Sequence, residues 1–124
     1  MRATSKTFAA SLLAGAIAAI TGGQAMAQSA IDFRVVPTDR NPASCRRWDA
    51  ELSRVHTFTP TADGATLRTA GGITRNMTKN GDVYTTTLAL GGTNFNVTAD
   101  TSKSPKSLEV AEPRIGCRWS AVAP

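Results

Sequence analysis

Only two cysteines occur in the chain, Cys45 and Cys117. Each stands beside arginine and shortly before one of its only two tryptophans, in SCRRWDAEL (residues 44–52) and GCRWSA (116–121). A cysteine works as a nucleophile or a metal ligand only as a thiolate, whereas two cysteines in an exported domain pair with one another. Pairing Cys45 with Cys117 would close a loop of about 73 residues and remove unfolded-state entropy worth about 4 kcal/mol. The two clusters are therefore expected to be the ends of one covalent staple, with Trp48 and Trp119 packed in the core beside it.

Other candidate chemistry is sparse. His56 is the single histidine, so a multi-histidine metal site is excluded. Calcium needs a dense set of oxygen ligands, which Asp49 and Glu51 do not supply, and Asp100 lies far off in sequence. Ser53, His56 and Asp49 spell a hydrolase triad locally, but neither a nucleophile elbow nor an oxyanion-type glycine loop accompanies them. Asp63 and Asp82 sit in turn sequences, where aspartate serves the backbone. There is no phosphate-binding or dinucleotide-binding glycine pattern. No catalytic residue, metal or cofactor is assigned. The remaining polar candidates are Arg46, Arg47 and Arg118, whose planar guanidinium forks suit carboxylates and phosphates. Brought together by the staple, they would form an anion or partner surface.

The first residues read as an address. Arg2 and Lys6 precede the apolar run FAASLLAGAIAAI (8–20), and TGGQAMA follows with a small-residue cleavage site ending at Ala27. Thirteen apolar residues are too few to span a bilayer as a helix, so residues 1–27 are expected to be a cleavable signal peptide of a periplasmic or secreted protein. Without Arg2 and Lys6 the formal charge falls from +5 to +3. The remaining basic residues are scattered, with no run longer than Arg46–Arg47, and aromatics are few. That pattern argues against a nucleic-acid partner.

The elements that must position these residues are β-strands. From about residue 55 onward, short β-rich runs are broken by turn residues at regular intervals: TADG (61–64), Gly71–Gly72, Asn80–Gly81 and Gly91–Gly92. A two-residue turn at Asn80–Gly81 sets Met77 against Tyr84 and Ile73 against Leu88. One at Gly91–Gly92 sets Leu88 against Phe95, Thr86 against Val97 and Tyr84 against Ala99. Both turns place Tyr84 and Leu88 on one apolar face. The opposite face then carries Asn76, Thr85, Thr87, Asn94, Asn96 and Thr98. Two N-x-T sequons, at Asn76 and Asn96, fall on that outer face. At Gly71–Gly72 a glycine bulge is expected, bringing Leu67 opposite Met77. RVHTFT (54–59), KSLEVAE (106–112) and RIGCRWSA (114–121) are further strands. Alternation in the last places Ile115, Cys117, Trp119 and Ala121 on one face. Cys45 and Trp48 share a face only on a helical turn, so a short helix is expected near residues 44–52.

The expected fold is all-β: a small antiparallel meander of about seven to eight short strands, with closure into a barrel left open. Residues 28–43 form an arm or an extra strand, and residues 44–124 a single disulfide-stapled domain. The expected function is that of a small exported, non-enzymatic and monomeric protein-interaction module of unknown partner. The alternative is a small β-barrel binding an apolar or anionic small ligand. Neither nucleic-acid binding nor stable membrane insertion is expected.

Overall fold

A computed structural model describes residues 29–124; the expected signal peptide lies outside the described residues. Nine antiparallel strands form one sheet: β1 (Ile31–Arg34), β2 (Val36–Pro37), β3 (Val55–Pro60), β4 (Gly64–Arg68), β5 (Thr74–Asn80), β6 (Val83–Leu90), β7 (Thr93–Asp100), β8 (Ser107–Glu112) and β9 (Cys117–Val122). From β3 to β9 the strands follow a plain meander. Closure comes from β1 and β2, separated only by Val35: β1 lies on β3 and β2 lies on β9, at opposite ends of the strand order. One kinked stretch therefore serves both edges, and the sheet becomes a nearly closed barrel. Its sequence suits the task, because alternation sends Phe33 and Val35 into the core and leaves Val36 in solvent.

Between β2 and β3 the chain makes a 3-10 turn (Ala43–Trp48) running into a single α-helical turn, α1 (Asp49–Leu52). This is the helical segment expected from the Cys45–Trp48 spacing, and both residues are buried. The segment belongs to one end of the barrel, with the connections 69–73, 91–92 and 113–116. The other end carries the connections 61–63, 81–82 and 101–106. We call these the helix end and the open end.

Side chains fill the interior. Trp119, Phe33, Phe58 and Phe95 are among its largest fully buried groups. They lie edge-to-face in two clusters: Phe58 against Phe33 and Tyr84, and Phe95, Trp48 and Trp119 against one another. A barrel this small is occupied by its own lining.

Register follows expectation at one hairpin and departs from it at two. Leu88–Phe95, Thr86–Val97 and Tyr84–Ala99 pair as expected, across a turn whose glycines have φ of 55° (Gly91) and 82° (Gly92). At the neighbouring hairpin Asn80 stays in the ladder opposite Val83, and Gly81–Asp82 forms the turn. Tyr84 therefore faces Lys79, not Met77. Asp82 is anchored there by its carbonyl, which accepts both the backbone N–H and the hydroxyl of Thr101. A two-residue shift keeps every side chain on its face, so Met77, Tyr84 and Leu88 still point inward. The β4–β5 connection is wider than a glycine bulge. Thr69 closes residues 69–73 by exchanging backbone bonds with Ile73 and Gly72, and its hydroxyl takes the Ile73 N–H at 3.1 Å. Leu67 consequently faces Arg75, and Ala65 faces Met77. Ile73 falls in that loop, 38 % exposed, and does not face Leu88. Ile115 is also exposed: β9 begins only at Cys117, because the Glu112 side chain gathers the preceding residues into a turn.

Candidate partner surface at the helix end

The disulfide between Cys45 and Cys117 ties the 3-10 turn to the first residue of β9. Around it, side chains bond backbone in place of regular ladder. Asn41 accepts the Arg118 N–H at 2.7 Å and donates to the Arg118 carbonyl at 2.8 Å, extending the β2–β9 pairing by a side chain. Asp49 accepts the indole N–H of Trp119 at 2.8 Å, which satisfies the one polar atom of a fully buried ring. Glu112, 1 % exposed, accepts the N–H groups of Ile115 and Arg114 at 2.7 and 3.2 Å. Each carboxyl oxygen thus has a backbone donor, as a buried polar group requires.

His56 holds the helix end from inside. Its Nδ1 accepts the Ala70 N–H at 3.1 Å, so Nε2 carries the hydrogen and donates to the Leu52 carbonyl at 2.9 Å. Burial depresses its pKa below the ordinary histidine value; the Leu52 bond opposes this and the nearby Arg54 charge reinforces it. The ring thus joins α1, β3 and the 69–73 loop as a neutral cross-brace. The locally spelled triad residues take separate partners: His56 bonds backbone groups, Asp49 bonds Trp119, and the buried Ser53 hydroxyl has no partner.

The three arginines singled out from sequence all lie at the helix end, each in its own surroundings. Arg118 forms an ion pair with Glu109. Arg47 stacks over the Trp48 ring, 4.9 Å from its centroid. Arg46 lines a hollow of about 180 Å³ together with Asp39 and Asp49. Sequence reasoning missed a smaller, more enclosed hollow of about 100 Å³ at the same end, lined by Leu52, Ile73, Leu88 and Leu90, with Arg54 and His56. The signal for it was Ile73, an apolar residue in a loop.

Two further surfaces were expected or are new. The outer Thr/Asn face exists as read: Asn76, Thr85, Thr87, Asn94 and Asn96 are exposed. Asn76, Thr85, Thr87 and Asn96 frame a shallow depression of about 460 Å³ with Thr78 and Thr98. At the open end a hollow of about 380 Å³ is lined by Ile31, Phe58, Pro60, Tyr84, Thr101 and Lys106. Among the described residues no helix is long and apolar enough to cross a membrane. Neither a family model, nor a curated protein, nor a solved structure matches the chain.

Proposed function

We propose that the protein is an exported, non-enzymatic interaction module: a monomeric barrel that presents its outer surface to another protein. The filled interior carries this reading, since a core occupied by Trp119, Phe33, Phe58 and Phe95 leaves recognition to the outside and the ends. The disulfide supports export, because such bonds persist in oxidising compartments, and the address read at residues 1–27 fits a periplasmic or secreted location. The backbone engagement of both His56 nitrogens supports a non-catalytic role.

The open-end hollow favours a second reading, a small ligand with an apolar body and an anionic group near Lys106. Native mass spectrometry of the domain drawn gently from its host's envelope extract separates the two. A complex with another protein, on a chain beginning at Gln28, is the expected result. A small-molecule adduct on the bare chain transfers the function to the open end, and a bare monomer overturns both readings.

A further inference from the structure

The meander sorts the basic residues by type. Every arginine of residues 29–124 lies at the helix end or in the half of a strand leading to it. Arg40, Arg46, Arg47 and Arg114 are in its connections; Arg34, Arg54, Arg68, Arg75 and Arg118 are at or next to the strand termini there. All are exposed. The three lysines are elsewhere: Lys79 next to the last residue of β5, and Lys103 and Lys106 in the connection before β8, all toward the open end. Among the described residues there are two ion pairs, Lys103 with Asp100 and Arg118 with Glu109, so every arginine except Arg118 lacks a carboxylate partner. The carboxylates at that end, Asp39, Asp49, Glu51 and Glu112, together with Glu109 in its pair with Arg118, are outnumbered by the nine arginines.

Resting on the protein-interaction reading, we infer that the helix end is the docking surface, and that its partner is an acidic protein surface presenting one apolar side chain to the hollow between Leu52, Ile73, Leu88 and Leu90. Three observations converge on that partner. The arginines in excess call for carboxylates, which a guanidinium binds in a bidentate fork. Arginine without lysine is the composition of protein interfaces, where arginine is enriched and lysine depleted, whereas an anionic membrane draws both alike. The hollow, of about 100 Å³, is apolar on one side and carries Arg54 and Glu51 at its edge. That is the form of an anchor pocket with a charged rim.

The test uses the disulfide-intact domain and a labelled glutamate-rich peptide carrying one central leucine, with phosphatidylglycerol vesicles measured in parallel. Two triple variants have equal net charge: R54E/R68E/R114E at the helix end and K79E/K103E/K106E at the open end. A neutral series, R54Q/R68Q/R114Q, keeps the experiment readable if charge reversal unfolds the domain. The expected result is peptide binding that weakens with salt. Its Kd should rise at least about tenfold in either arginine series and change less than about twofold in the lysine series. Equal weakening by both reversals overturns the helix-end surface and leaves a protein partner elsewhere on the barrel. No peptide binding at low salt overturns the acidic partner. Preferential binding to vesicles overturns both this surface and the protein-interaction reading.

Discussion

His56 is held by two backbone groups from different elements, the Leu52 carbonyl and the Ala70 N–H, and that pattern requires a neutral ring. Protonation would place a hydrogen on Nδ1 against the Ala70 N–H. Burial already lowers the pKa of the folded form below 6.5, while the unfolded chain titrates near that value. As pH falls through 6.5 the unfolded state takes up the proton first, so stability that is complete above this pH drains below it until the folded pKa is passed. Urea unfolding between pH 8 and pH 5 should show this decline, and His56→Gln, which can both donate and accept, should flatten it. An unchanged slope in the variant would assign the decline to other groups. The only other charged groups at the hollow beside the ring are Glu51 and Arg54. Nothing in the residue types announced the brace. Its partners are backbone groups, and Ala70 enters only through a loop whose width the Thr69 hydroxyl sets.

Strand-level organisation rests on a few close backbone approaches. Gly64 opens β4 opposite Thr78, and a Cβ built on it would stand 2.4 Å from the Met77 carbonyl oxygen. Backbone on both sides cannot yield as a flexible side chain would, so Gly64→Ala should destabilise the domain by roughly 1–3 kcal/mol. The same change at Gly71, which has only the Thr69 hydroxyl at 3.9 Å, should have little effect. Chemical denaturation of the two variants compares them directly, and equal losses would refute the close-approach account. Period-two alternation made the faces of β6 and β7 legible in advance, and a Gly-Gly turn fixed their register. The turn at residues 81–82 was less legible because Asn80 satisfies a turn and a ladder position equally well. The β4–β5 connection was less so again, since a threonine hydroxyl and not a glycine determines its size. Ile115 was misplaced because a buried glutamate three residues upstream, Glu112, diverts the chain before β9 starts.

At the scale of the molecule the staple joins residues 72 apart in sequence, nearly the whole domain. Replacing both cysteines by alanine should remove about 4 kcal/mol and lower the Tm by roughly 15–30 °C. Calorimetry of the oxidised, reduced and double-alanine forms checks this, and a Tm within a few degrees of the oxidised protein would show that α1 and β9 hold together without it. The disulfide itself was legible from a count of two cysteines in a chain expected to be exported. The arginine pole was not. In sequence these residues are scattered from Arg34 to Arg118; beyond Arg46, Arg47 and Arg118, which the staple was expected to gather, that scatter was read only as an argument against a nucleic-acid partner. An up-and-down meander returns to the same end every second connection, and only that folding back converts a scattered set into a single face.

The split between β1 and β2 also sets an order of events. A chain that crosses a membrane from its N-terminus delivers Ile31–Pro37 first, yet Val36 and Pro37 find their partners, Ser120 and Trp119, only when β9 arrives. Until then β8 and β2 carry open backbone edges, which invite another strand or a protease. Pairings this distant in sequence also form slowly. The domain therefore has no stable half-product. A truncated copy lacks both its last strand, β9, and the seat of β2, so in an exported chain closure of the barrel would mark complete delivery.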